Sequence, residues 1–206
     1  MNITSYETVE LETDRLILKK GNIEDYVSVY EYDMRKVRDI GGEFEFEKQD
    51  PNEIKAWFKN SMEKYYAKCI DEKHTFDWII YLKKEMIPIG NITADREREA
   101  MQACELAYNL HPTYWGQGYM PEAVTAVLDH LFSIGYDNVI SGWDEGNKKS
   151  KRVSDKMGFE LFNVIDEYWI KNGVPIATYE STMSKEKWYS MNNENMNSLN
   201  TSKNKR

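Results

Sequence analysis

One segment near the middle of the chain changes from strand to helix across two closely spaced glycines. Residues 103–110 alternate apolar and polar side chains, which is the two-residue period of a half-buried β-strand. Gly116 and Gly118 follow, and the apolar side chains from Val124 to Phe132 then repeat at helical spacing. Because glycines let backbone amides turn toward the positive end of a helix, this arrangement can form an anion pocket. A tight strand–helix connection that binds nothing would show the same pattern.

The glycine spacing differs from the two common nucleotide-binding fingerprints. A proline, Pro121, stands where the third glycine of Gly-x-Gly-x-x-Gly would be, and no Gly-Lys-Ser or Gly-Lys-Thr follows the glycines. A nucleotide-binding protein is therefore the least favoured of the interpretations that use this loop.

The rest of the chain alternates strand-like and helix-like segments. Strands are predicted over 13–19, 76–82, 86–94, 103–110, 138–143, 159–170 and 174–183, and helices over 23–37, 51–69, 124–132 and 149–157. The order is β-α-α-β-β-β-α-β-α-β-β. Such interleaving predicts an α/β fold of the α+β type, with a mixed sheet flanked by helices.

The composition indicates a single domain, predicted over residues 1–190. Asn, Ser, Lys and Thr dominate residues 191–206, so we expect a disordered polar tail there. The net charge of -8 argues against a nucleic-acid partner and permits a cationic substrate. No apolar run approaches the roughly 18 residues of a membrane span, and the start does not resemble a secretory signal, so we expect a cytoplasmic protein without a membrane partner.

Cysteine and histidine usage predicts neither a disulfide framework nor a metal site. Cys69 and Cys104 each lie in a predicted apolar face, where buried free thiols are expected in a reducing compartment. The three histidines are far apart in the sequence, and none has a partner at helical i, i+4 spacing.

Three segments together resemble the GNAT N-acetyltransferases, most closely their RimJ/RimL-type branch. The segment 115–123, WGQGYMPEA, is similar to the acetyl-CoA pyrophosphate loop of that branch. The segment 13–18, TDRLIL, resembles its opening strand, and the pattern from Asn147 through Ser150 to Phe159 resembles its second cofactor motif. The three occur in the family's order, and the resemblance covers roughly residues 10–185.

The resemblance implies a mostly antiparallel central sheet in which the parallel strands 103–110 and 138–143 splay apart around the cofactor. It implies that acetyl-CoA is the co-substrate, with no metal. Backbone groups near Leu110 would pair with the pantetheine arm, Asn147 would bond it from the other side, and the basic run 148–152 could meet the 3′-phosphate. The implied cofactor-binding residues are Leu110, Trp115, Gly116, Gln117, Gly118, Tyr119, Met120, Pro121, Asn147 and Ser150.

The implied reaction is direct attack of a primary amine on the acetyl thioester. Many family members place a tyrosine, as proton donor to the thiolate, at the position that Ser154 occupies here. The alternative used in the RimL-type branch corresponds to Ser150, and water is a third source. Glu105 lies on the strand beside the expected acetyl group and is the candidate base, with water or an already neutral amine as the alternative.

These interpretations converge on an N-acetyltransferase. The acceptor would be a small-molecule amine or a protein N-terminal amine, and the enzyme a monomer or homodimer. The alternative from another class is a non-catalytic acyl-CoA-binding module, which the missing tyrosine at Ser154 favours.

Overall fold

Eight strands form one sheet in the part of the chain that the computed structural model describes, which is residues 3–30, 60, 64, 75–171 and 173–193. The strands are β1 (Leu11–Glu12), β2 (Leu16–Lys19), β3 (Phe76–Leu82), β4 (Pro88–Arg98), β5 (Ala103–Leu110), β6 (Asn138–Asp144), β7 (Glu160–Lys171) and β8 (Val174–Ser184). The helices are α1 (Ile23–Tyr30), α2 (Tyr119–Ile134), α3 (Lys148–Met157) and α4, which covers residues 185–193.

The sheet order is β1-β2-β3-β4-β5-β6-β8-β7, and only the β5–β6 pair is parallel. Pairing between β5 and β6 runs from Ala103 opposite Asn138 to Leu106 opposite Ser141 and then stops. Both strands continue beyond that point, so the sheet opens into a wedge. The prediction of a mixed, mostly antiparallel and splayed sheet is confirmed.

Side-chain alternation on the strands separates two apolar layers. Phe76, Trp78 and Ile80 of β3 join the larger core, which α2 covers, whereas Ile79 and Tyr81 pack with α1 on the other face. The predicted alternation of β5 is present, because Cys104, Leu106 and Leu110 lie in the larger core while Glu105 and Ala107 belong to the opposite face.

The ends of several elements differ from the predictions. Only Leu16–Lys19 of the predicted strand 13–19 are in a strand, β2. Residues 13–15 form the turn that joins β1 to β2, closed by a hydrogen bond from the Thr13 amide to the Leu16 carbonyl. The predicted tail begins too early, since α4 continues through residue 193 and Met191 packs against the core. A single apolar contact in a polar stretch is easily missed. Several predictions fall outside the described residues: the helix 51–69 apart from residues 60 and 64, the end of the first helix, Cys69 and residues 194–206.

The described residues include neither a membrane-spanning helix nor a cluster of metal ligands. No helix there is both long and apolar enough to cross a membrane. No cluster of three or more His, Cys, Asp or Glu side chains in those same ranges is arranged to hold a metal ion.

A buried carboxyl on β3 makes the stability of the fold depend on pH. Asp77 is 6% exposed, and no hydrogen-bond partner for its Oδ1 is found within the described ranges. Burial raises the pKa of Asp77 to about 7, although the charge of Lys20 opposes this. The folded state favours the protonated form of Asp77. The contribution of this group to the free energy of unfolding is therefore fully present below its unfolded pKa of about 4 and is lost as the pH rises toward 7.

Asp77→Asn should therefore raise the free energy of unfolding at pH 8 by up to about 4 kcal/mol and leave it nearly unchanged at pH 4. Urea unfolding at the two pH values measures this difference. Glu85→Gln, which removes an exposed carboxyl, is the matched control and should change neither value. Parallel pH profiles for Asp77→Asn and the unaltered chain would contradict the assignment.

Candidate active site

The loop between β5 and α2 takes a conformation that requires both of its glycines. Residues 112–114 form a short 3-10 turn, after which Gly116 has φ 76° and Gly118, at the start of α2, has φ 82°. Side chains with a Cβ rarely adopt such values. We call residues 111–118 the glycine loop.

The glycine loop leaves a row of backbone donors unused. None of the backbone hydrogen bonds found within the described residues employs the amides of residues 116–120. A Cβ built on Gly116 would meet no atom within 4 Å, so the space beside the loop is open. These amides stand at the positive end of α2, and the arrangement therefore suits a phosphate group.

A cavity of about 500 Å³ lies between the glycine loop, β5 and α3. Nine of the ten predicted cofactor-binding residues line it: Leu110, Trp115, Gly116, Gly118, Tyr119, Met120, Pro121, Asn147 and Ser150. The tenth, Gln117, does not line it. Its side chain donates to the Thr113 carbonyl, and its own carbonyl accepts from Arg15. We call this space the cofactor cavity.

Three cations of α3 also line the cofactor cavity, namely Lys149, Arg152 and Lys156. The Lys149 Nζ lies 3.7 Å from the centroid of the Trp115 ring. Lys151, from the same basic run, instead pairs with Asp155 at 2.7 Å. The predicted basic run thus contributes two of its cations to the cavity, and Lys156 adds a third cation one turn further along.

The splayed edge of β5 faces the cofactor cavity with only part of its backbone free. The His111 amide donates to Ile89 of β4, so the neighbouring amide of Leu110 turns away from β4 toward the open edge. The Leu110 carbonyl accepts a 2.6 Å hydrogen bond from the Trp115 indole. The amide of Leu110 is therefore available for the predicted pairing, whereas its carbonyl already accepts one hydrogen bond.

An ion pair from the β1–β2 hairpin holds the glycine loop and the first turn of α2 together. Arg15 bonds the Glu122 carboxylate at 2.6 Å and the Gln117 carbonyl at 3.0 Å, and its guanidinium lies over the Tyr119 ring. The Thr13 hydroxyl bonds the same carboxylate at 2.6 Å. Burial alone would raise the pKa of Glu122, but the bonds from Thr13 and Arg15 hold it below its ordinary value. The carboxylate is thus a fixed anionic anchor for the loop.

A second cavity, of about 640 Å³, opens on the other side of the splay, and we call it the acceptor cavity. Its charged lining consists of four carboxylates and two guanidinium groups: Glu97, Glu105, Asp144, Glu180, Arg96 and Arg98. Arg98 forms hydrogen bonds to both oxygens of Glu180, and these bonds hold the pKa of Glu180 below its ordinary value. Glu105 lies 3.5 Å from both Arg96 and Arg98.

Three residues, Tyr108, Asn147 and Ser150, line both cavities and so mark their junction. The Asn147 Oδ1 caps α3 by accepting from the Ser150 amide at 3.1 Å. The Ser150 hydroxyl donates to the Gly142 carbonyl at 3.3 Å and lies 3.0 Å from the Tyr108 hydroxyl. A group passed between the cavities would cross beside these hydroxyls.

The structure separates the two serines that compete for the role of proton donor. Ser154 is 2% exposed, lines neither cavity and bonds the Ser181 hydroxyl at 2.8 Å, and Ser181 in turn bonds the Ser141 carbonyl. Ser150 lies at the junction. Of the two residues predicted to be catalytic, Ser150 is therefore at the junction and Glu105 lines the acceptor cavity.

Comparison with known proteins agrees with this geometry. Residues 15–160 match the family described as Acetyltransferase (GNAT) domain, which is well over half of the chain. The chain belongs to the GNAT acetyltransferase family. As a member of this family, the chain is an acyltransferase.

One relative in sequence and two solved structures are similar to this GNAT chain. The uncharacterized N-acetyltransferase YoaA of Bacillus subtilis (strain 168) is 26% identical over 169 residues, which cover 82% of this chain and 92% of YoaA. The ribosomal-protein-S5-alanine acetyltransferase of Vibrio fischeri superposes with a TM-score of 0.62 at 20% identity, over 87% of this chain and 98% of that chain. The acetyltransferase MccE, solved in complex with acetyl-CoA and AMP, has a TM-score of 0.64 at 16% identity, over 84% and 93% of the two chains.

Several residues of this GNAT site escape sequence reasoning. Tyr108 falls on the apolar face of β5 and is assigned to the core by its spacing, although a tyrosine in such a face needs a partner for its hydroxyl. Arg15 and Glu122 both lie in segments that carry the resemblance, but their contact joins residues 107 positions apart. The pair of Arg98 and Glu180 has no signal in the sequence.

Proposed function

We propose that this GNAT chain is an acetyl-CoA-dependent N-acetyltransferase of the RimJ/RimL-like kind that transfers the acetyl group to a primary amine. The observation that carries the proposal is the meeting of two cavities at the point where β5 and β6 separate. One cavity has the chemistry of a phosphate and thioester site, and the other has a surplus of carboxylates.

The residues around the cofactor cavity fit acetyl-CoA. The unused amides of residues 116–120 would bond the pyrophosphate, with Pro121 contributing no N–H. The cations Lys149, Arg152 and Lys156 would pair with the 3′-phosphate. The pantetheine arm would run along the open edge of β5, bonded by the amide of Leu110 and by the side-chain amide of Asn147, whose oxygen already caps α3.

The residues at the junction would then serve the transfer itself. The amine must be neutral to attack, and Glu105 in the acceptor cavity is the proposed proton acceptor, directly or through water. A backbone N–H on the open edge of β5 would stabilise the negative charge that develops on the acetyl oxygen. The Ser150 hydroxyl, at the junction, would protonate the departing sulfur.

The charge of the acceptor cavity favours a cationic acceptor. Four carboxylates face two guanidinium groups, so the lining carries an excess of negative charge that attracts an ammonium ion. A small-molecule amine and a protein N-terminal amine both meet this requirement. We propose that the acceptor belongs to one of these two classes.

The proposal is tested by measuring the release of free thiol from acetyl-CoA in the presence of a panel of amines. The panel includes polyamines, amino acids, aminoglycosides and peptides with free N-termini. Turnover with at least one member is expected. Tight binding of acetyl-CoA without turnover for any amine would support the non-catalytic binding module instead. ATP and NAD should leave the melting temperature unchanged, and a clear shift with either would favour a nucleotide-binding protein.

Loss of the Arg15 contacts should weaken cofactor binding without slowing the chemical step. Arg15→Ala leaves the Glu122 carboxylate and the Gln117 carbonyl without their cation, so the glycine loop is held less firmly. We expect the KM for acetyl-CoA to rise roughly tenfold while kcat changes less than twofold, which is about 1.4 kcal/mol of binding. Lys84→Ala, which removes an exposed cation from the turn between β3 and β4, should leave both constants unchanged. An unaltered KM in Arg15→Ala would show that the loop keeps its shape unaided.

A further inference from the structure

Tyr108 reaches the junction from a different element than the family's usual tyrosine would. It stands on β5, whereas the position on α3 for which the family resemblance implies a tyrosine is Ser154, buried away from both cavities. The Tyr108 ring lines the cofactor cavity and the acceptor cavity alike. A phenol is therefore present where the acetyl group would change partners.

The hydroxyls of Tyr108 and Ser150 contact each other directly at the junction. The Ser150 hydroxyl has the Gly142 carbonyl as an acceptor at 3.3 Å, and the Tyr108 hydroxyl lies 3.0 Å from Ser150 Oγ and 3.4 Å from the Ser150 carbonyl. While Ser150 donates to Gly142, Tyr108 can donate to Ser150 Oγ, and this arrangement has the proton order from Tyr108 to Ser150 to a third oxygen. A sulfur atom with negative charge beside Ser150 would replace the Gly142 carbonyl as the last acceptor of this chain.

We propose that Tyr108 is the source of the proton that reaches the departing CoA sulfur and that Ser150 passes it on. This inference rests on the proposed function. In the step, the amine nitrogen bonds the acetyl carbon, the carbon–sulfur bond breaks and the sulfur keeps the electron pair. The sulfur takes the Ser150 proton, Ser150 takes the Tyr108 proton, and the phenolate regains one from solvent. The amine nitrogen gives its proton to Glu105, directly or through water, and Glu105 releases it to solvent.

The chemistry of the two hydroxyls explains why both would be needed. An aliphatic hydroxyl is a far weaker acid than a phenol, which ordinarily titrates near about 10, so Ser150 alone would end as a costly alkoxide. Burial raises the pKa of Tyr108, although its hydrogen bond with Ser150 opposes this, and the phenol is therefore protonated at neutral pH. The same burial would raise the pKa of a thiol formed there, so the two acids stay comparable in strength.

This proton path is tested by steady-state kinetics at saturating acetyl-CoA and amine. The variants are Tyr108→Phe, Ser150→Ala and the double variant. Each single variant should lower kcat by about a hundredfold, with the KM for acetyl-CoA changed less than threefold. The double variant should be no slower than the worse single variant, because both residues serve one proton path. Tyr189→Phe, which removes an exposed phenol from α4, should leave kcat unchanged.

A proton inventory in mixtures of light and heavy water separates a proton source from a residue that only positions Ser150. The unaltered enzyme should show a curved inventory, from two protons in motion, and Tyr108→Phe a linear one. A kcat within twofold of normal for Tyr108→Phe, additive losses in the double variant or an unchanged inventory would each overturn the inference. Absence of turnover in the unaltered chain would instead overturn the proposed function.

Discussion

Gly118→Val is expected to abolish measurable binding of acetyl-CoA. Gly118 starts α2 at φ 82° and lines the cofactor cavity, so a branched side chain there displaces the amides of the glycine loop and occupies their approach to a phosphate. Each charge-assisted hydrogen bond that is lost is worth about 1.5–3 kcal/mol, so affinity should fall by at least about a hundredfold. Calorimetric titration with acetyl-CoA measures the loss.

The matched control for this substitution is Gly173→Val. Gly173, in the turn between β7 and β8, has φ 76°, so the backbone strain of the two substitutions is similar. A Cβ there meets no atom within 4 Å, and the residue lines neither cavity. Equal affinity in the two folded variants would show that the glycine loop does not bind the cofactor.

Ser150→Ala is expected to lower kcat by about a hundredfold or more at saturating acetyl-CoA, with little change in acetyl-CoA affinity. A positioned proton donor is typically worth ~10²–10⁴-fold, which is far more than one neutral ground-state hydrogen bond. Ser150 lies at the junction of the cavities and bonds Tyr108. Steady-state kinetics with the best amine of the panel gives both constants.

Ser154→Ala separates a catalytic serine from a structural one. The Ser154 hydroxyl is buried against Ser181, so its removal should cost about 1 kcal/mol of stability and leave kcat within twofold of normal. A severe loss of kcat in Ser154→Ala with a normal Ser150→Ala would reverse the assignment. Losses of only a few-fold in both would make water the proton source, with alignment of the amine as the protein's main contribution.

The parts of the site that sequence analysis predicts are local. The strand 103–110, the two glycines and the following helix lie within about thirty consecutive residues, and their periodicities and turn chemistry can be recognised without knowing the rest of the fold. Nine of the ten predicted cofactor-binding residues consequently line one cavity. The exception, Gln117, belongs to the motif but is turned toward Arg15 and Thr113.

The parts that sequence analysis misses depend on contacts between distant segments. Arg15 meets Glu122 only because the sheet and α2 bring the hairpin to the glycine loop, and Arg98 meets Glu180 across 82 positions. Tyr108 looks like a core residue because it follows Cys104 and Leu106 at the two-residue spacing of the apolar face of β5. Its place beside two cavities depends on the separation of β5 from β6, which the sequence does not show. Sequence analysis does not predict helix α4, because its sequence is largely polar and its packing rests on a few residues such as Trp188 and Met191.

The most direct test of the account is a titration of the isotopically labelled chain with acetyl-CoA, followed through the backbone amide resonances of its glycines. Saturable binding at one site should move the amides of Gly116 and Gly118 strongly and leave that of Gly173 in place, since only the first two line the cofactor cavity. Saturable binding that leaves Gly116 and Gly118 unmoved, or the absence of saturable binding, would contradict the account.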